Sequence, residues 1–98
     1  MTHVSAAGAV PSRANLEAFF VERGMEPHWW GNGPRYTYGW HEHPYRKVLY
    51  CASGSIVFHT HDGDYSLQPG DRLELDPRTP HAATVGADGV ECIEAPQY

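Results

Sequence analysis

Runs of basic residues are missing from this chain. Seven Lys and Arg stand against twelve Asp and Glu, for a formal net charge of −5. Nucleic acid demands a Lys/Arg stripe that displaces counterions from phosphates, so nucleic acid is excluded as a partner, and anionic membrane surfaces with it. Long apolar runs are missing too, which leaves no candidate membrane-spanning helix. Residues 1–9 lack both the basic start and the apolar core of a signal peptide, so the expected compartment is cytoplasmic. Cysteine is scarce: Cys51 and Cys92 sit singly in apolar contexts with no CxxC spacing. They read as small buried hydrophobes rather than a disulfide framework, a bridge between the two being the open alternative. With 98 residues the chain is too short for two separate cores, and one domain is expected.

What is present is a series of short apolar and aromatic stretches separated by Gly and Pro. Residues 1–11 read as a flexible segment unless a strand holds them. A short helix is expected over about 12–23, with Ser12 as N-cap, Leu16, Phe19 and Phe20 forming one apolar stripe, and Gly24 closing it. From about 26 to 95 the texture is that of an all-β domain. Trp29 and Trp30 end one strand, and Tyr36, Tyr38 and Trp40 share a face of the next, a row expected to pack as core or under a helix. Turns are expected at Ala52 to Gly54, at Asp62–Gly63, at Pro69 to Asp71, at Asp76 to Pro80 and at Gly86 to Gly89. About eight strands result, which suggests a sandwich or barrel.

His41 and His43 stand one residue apart at the mouth of the apolar run Val48 to Cys51. In extended chain, residues i and i+2 project to one face, so His41, His43 and Lys47 share a side if the strand persists through Tyr45. Two histidines so placed look like half a metal site. His59 and His61 repeat the spacing, but beside the Asp62 to Asp64 turn they read as exposed hairpin residues. His3 and His28 read as surface residues. Tyr45 and Tyr50 are pocket candidates whose ordinary alternative is core.

Two segments resemble the cupin family. Its first motif is His-x-His, an acidic residue three or four positions on, and a glycine beyond; here His41, His43, Lys47 and Gly54 hold those places. Its second motif runs Gly-Asp through an alternating stretch to a Pro-rich turn and a histidine; here Gly70, Asp71, Leu73, Leu75, Pro77, Thr79, Pro80 and His81 follow it. Lys47 departs from the acidic ligand, Arg78 from the turn glycine, Val85 from the trailing asparagine, and Arg35 from the glycine before the first histidine. The resemblance implies a cupin-type jelly-roll β-barrel, here carrying a short N-terminal α-helix. It implies a divalent transition metal, Fe, Mn, Ni, Zn or Cu, held between the motifs. Members include dioxygenases, isomerases and decarboxylases, and others that only bind or sense.

Three inward-facing histidines, His41, His43 and His81, can bind such a metal and leave positions for water or substrate. Lys47 is the difficulty. An ammonium about 5 Å from a dication, at an effective dielectric of about 20, is repelled by roughly 7 kcal/mol. Lys47 either bends into a salt bridge with Glu42, Glu74 or Glu94, or binds an anionic group of a substrate that also reaches the metal. Otherwise the site holds no metal, and Lys47 anchors an acidic ligand or serves as a nucleophilic amine. The expected function is metal-dependent chemistry on a small anionic metabolite, with Lys47 and Tyr45 as catalytic candidates. The rival is a metal-free binding or sensor module. A homodimer through the aromatic strand and the N-terminal segment is expected with either.

Overall fold

The computed structural model describes residues 2–6 and 9–98. In chain order the elements are β1 (His3–Ser5), α1 (Arg13–Val21), β2 (His28–Asn32), β3 (Thr37–His41), β4 (Arg46–Thr60), β5 (Gly63–Leu67), β6 (Arg72–Leu75) and β7 (His81–Gln97). All strand pairings are antiparallel. The order is β1-β6-β4-β7-β2, with β3 also on β7 and β5 also on β4, and the sheet curls into a jelly-roll β-barrel.

The barrel is built on the β4–β7 pair, which runs from Arg46↔Gln97 to Thr60↔His81. Sequence patterning breaks each of these strands in two, at Ala52 to Gly54 and at Gly86 to Gly89. The structure instead carries both strands through, with register irregularities between Cys51 and Ser53 and between Gly54 and Ile56. The bulges move the inward face of β4 from odd positions, Leu49 and Cys51, to even ones, Ile56 and Phe58. On β7 the inward set likewise passes from Ala83 and Val85 to Val90 and Cys92. Gly54 is indispensable to this bend: its φ is 74°, and a Cβ there would lie 2.0 Å from the Gly89 carbonyl oxygen. Continuity of β4 and β7 lowers the expected eight strands to six, and β1 brings the number among the described residues to seven.

Two apolar layers result. Leu49, Cys51, Ile56, Phe58, Leu67, Leu73, Leu75, Val85 and Cys92 fill the barrel. On the outside of the same strands Val48, Ile93 and Ala95 meet Leu16, Phe20 and Met25 from α1 and the segment after it. The helix starts where expected, Ser12 Oγ accepting from the Asn15 amide at 3.1 Å. It ends at Val21, and Gly24 follows at φ 73°.

The amino-terminal segment departs from the expected flexible stretch, because His3–Ser5 forms β1 against Arg72–Glu74 of β6 and Thr2 is buried. An unpaired edge of β6 supplies the backbone partners that hold it. Residues 1, 7 and 8 lie outside the described residues. At the other end, strand structure continues past 95 to Gln97. Cys51 and Cys92 are register partners, fully buried, and both thiols are free. Contact with Cys51 and burial push the Cys92 thiol upward, so it remains protonated.

Candidate metal centre

The extended chain does not persist from His41 to Lys47. Strand β3 ends at His41, Glu42 to Tyr45 form an irregular connection, and β4 begins at Arg46. The histidines nonetheless converge, because tertiary pairing does what local periodicity does not. His41 of β3 and His81 of β7 are direct register partners, with ring centroids 4.3 Å apart. The second-motif turn is tied to the first motif by the Arg78 amide, which donates to the His43 carbonyl at 2.7 Å.

Two arginines stand in place of family glycines, and both take the glycine conformation: Arg35 has φ 62° and Arg78 has φ 61°. Left-handed backbone costs a non-glycine residue about 1–2 kcal/mol. Hydrogen bonds hold both positions, the Arg35 amide donating to the Gly86 carbonyl at 3.1 Å. Both arginines thus hold a backbone conformation that glycine adopts at lower cost.

The candidate ligand atoms of His41, His43 and His81 lie within 4.8 Å of one another, the sole such His/Cys/Asp/Glu group among the described residues. Their hydrogen bonding prepares them for a metal. His41 Nδ1 faces the Gly39 carbonyl at 2.7 Å, and His81 Nδ1 faces the Thr79 carbonyl at 2.8 Å. A carbonyl can only accept, so the proton is on Nδ1 in both rings and the Nε2 lone pair is left free. Nε2 of His43 and of His81 is buried without a hydrogen-bond partner. Buried ring nitrogens without partners, in a group whose ligand atoms lie within 4.8 Å of one another, are what a metal ion would satisfy, so the donor set fits one. The three histidines can hold a metal.

Burial first, then the Lys47, His41 and His43 charges, hold the His81 imidazole down at about 4, against a favourable bond to Thr79. His43 is lowered by burial and by Lys47. Both rings are therefore unprotonated at neutral pH, as ligands must be. The same shift makes the metal-free protein acid-sensitive. Folded His81 binds its proton more weakly than the unfolded chain does near 6.5, so its contribution is intact above pH 6.5 and is lost as pH falls toward 4. The loss is about 3 kcal/mol at roughly 1.4 kcal/mol per pH unit. Urea unfolding in chelator at pH 7 and at pH 4.5 checks this, and equal midpoints would refute it.

Lys47 resolves in favour of a salt bridge. Its Nζ lies 3.2 Å from Glu94 Oε1, with both residues buried, at 7% and 8% exposure. Glu94 Oε1 also accepts from Trp30 Nε1 at 2.6 Å. Of the other acids considered, Glu74 is taken by Arg46 at 3.3 Å, and exposed Glu42 is not the partner. Glu94 is the residue that sequence patterning weighted too lightly. It follows Val90 and Cys92 on the inward face of β7, and a carboxylate continuing an apolar face is itself a signal of a buried polar role.

Trp30, Asn32, Tyr38, His41, His43, Lys47, Phe58, Ala83 and Glu94 line a cavity of about 370 Å³. Tyr38 corrects the expected aromatic row. A bulge between Tyr38 and His41 puts Tyr38 on the cavity side with His41, while Tyr36 and Trp40 stay exposed instead of entering a core. Asn32 Nδ2 donates to the Tyr38 hydroxyl. Tyr45 stacks on His43, with centroids 4.9 Å apart, and does not line the cavity wall. Tyr50 lies on the helix side, packed against Phe19 and Phe20. His59 belongs elsewhere, its ring bonded to Asp64 at 2.8 Å and to Thr84 at 2.9 Å.

Comparison with known proteins agrees with this fold. Residues 33–93 match the family described as Cupin domain. A duf861 family protein from Thermotoga maritima superposes with a TM-score of 0.67 at 16% identity, covering 96% of this chain and 97% of that one. A structure reported with the DMSP lyases RdDddP and RnDddQII has 30% identity and a TM-score of 0.64, over 74% of this chain and 36% of that one. The DMSP lyase DddQ from Ruegeria pomeroyi DSS-3 gives 17% and 0.70, over 76% and 38%. The chain thus spans little more than a third of the two lyase structures. No curated protein matches it. Among the described residues no helix is long and apolar enough to cross a membrane.

Proposed function

The chain belongs to the cupin domain family, and from that premise we propose that it binds a divalent transition metal through Nε2 of His41, His43 and His81 and presents it to a small anionic metabolite. The observation that carries this is the pair of buried, unpartnered Nε2 atoms on His43 and His81. A bound metal would supply Lewis-acid polarisation or dioxygen activation. The lyase activity named for two structural neighbours supports the first use. The chain's own part is to confine the ligand: Trp30, Tyr38, Phe58 and Ala83 exclude water, and Asn32 with the Tyr38 hydroxyl offers polar contacts at the wall. Lys47, the one cation on the cavity lining among the described residues, is paired with Glu94, so the ligand's negative charge would be met chiefly by the metal. Tyr45 acts indirectly, by fixing the plane of the His43 ring.

The alternative is a metal-free binding or sensor module in which Lys47 anchors an acidic ligand. Its support is the lysine at the family's acidic position. Metal analysis of untagged protein, after incubation with Fe, Mn, Ni and Zn and removal of excess, separates the two. About one equivalent of metal is expected, and less than about one-tenth would sink the metal proposal.

A further inference from the structure

We propose that Glu94 sets the metal affinity of the three-histidine centre by offsetting the charge of Lys47; this rests on the metal-binding proposal above. The argument is a count of charge. Three neutral imidazoles contribute none, and of the remaining cavity residues only Lys47 and Glu94 are charged. The family's first motif places an acid where Lys47 stands. Without compensation the centre would offer a metal ion a cation in place of an anion. Glu94 returns the lining to neutrality from the neighbouring strand, where it is the register partner of Leu49, two positions beyond Lys47 on the same inward face.

No other carboxylate lines the cavity among the described residues. Glu74 is engaged with Arg46 and Arg72, and Glu91 with Arg13. Trp30 also holds Glu94, so that one carboxylate oxygen receives both the indole N–H and the ammonium. Lys47 lines the same cavity as His41 and His43, so its ammonium faces the space those rings border. Metal retention therefore depends on the sum of the charges at 47 and 94, and not on either residue alone.

Zinc titration of the metal-free full chain by calorimetry at pH 7 tests this with four proteins: the native chain, Glu94→Gln, Lys47→Met, and the double variant. Glu94→Gln should bind zinc at least about tenfold more weakly and Lys47→Met about tenfold more tightly, with the double variant within about threefold of the native chain. Native-like affinity in the double variant is the result expected if the two charges offset one another. Native-like affinity in Glu94→Gln, or a double variant as weak as Glu94→Gln, overturns the proposal. If Glu94→Gln does not fold, Lys47→Met against the double variant decides: a tenfold gap supports it, and equality overturns it. A native chain that binds no zinc, iron, manganese or nickel is a different outcome, which removes the metal-binding proposal itself.

Discussion

His81→Ala lowers zinc affinity by at least about 100-fold, while His59→Ala leaves it unchanged. Loss of residues that merely orient a ligand costs about 10–100-fold, and loss of a ligand from a set of three costs more. His81 is the deepest of the three, at 1% exposure, and its Nδ1 is locked to the Thr79 carbonyl, so no neighbouring group can take its place by a small shift. His59 is the matched control, because it is also a strand histidine with both ring nitrogens occupied, by Asp64 and Thr84. Calorimetric titration with zinc, alongside thermal melts in chelator to confirm folding, reads the result. Native affinity in His81→Ala would show that the three rings do not act as one ligand set.

The second large effect concerns stability. Phe20→Ala should destabilise the protein by about 3–5 kcal/mol, the range for deleting a fully buried aromatic ring. Phe20 is 0% exposed and meets Phe19 and Tyr50 edge-to-face, with centroids 5.3 and 6.0 Å away. A nine-residue helix is marginal by itself, so its order comes from this packing. The ring also backs the strand that carries Glu94, since Ile93 and Ala95 face the helix cluster while Glu94 faces the cavity. Urea unfolding at pH 7 measures the loss, and a change below about 1 kcal/mol would mean the helix does not hold the outer layer.

Much of this was legible without coordinates, for reasons that can be named. Ser12, the Leu16/Phe19/Phe20 stripe and Gly24 are local signals, and the helix follows them. The Asp62–Gly63 turn is equally local, and β4 and β5 pair across it as Thr60↔Gly63. The two histidine motifs were legible as a resemblance, and their convergence follows from the barrel. What escaped were consequences of bulges. A single extra residue reverses which side chains face inward, so alternation read straight through Tyr38 to His41 points to the wrong face. Glycines that looked like turns were bends within continuous strands. Lys47 was recognised as the anomaly, but three acids were open to it. Only the register of β4 against β7 selects Glu94, and register between strands so distant in sequence is not a local property.

The β4–β7 pairing also bears on how the protein folds. It joins residues up to half the chain apart, Arg46 to Gln97, whereas β4 and β5 meet across a tight turn. Distant pairings incur loop-closure entropy before any contact rewards it, which makes folding slow and orders its events. Loop-closure entropy predicts that the β4/β5 hairpin forms before β7 docks onto it at the near end, where His81 meets Thr60. Until then the chain offers a metal only local pairs, His41 with His43 and His59 with His61, so the three-histidine group is a product of folding rather than its template.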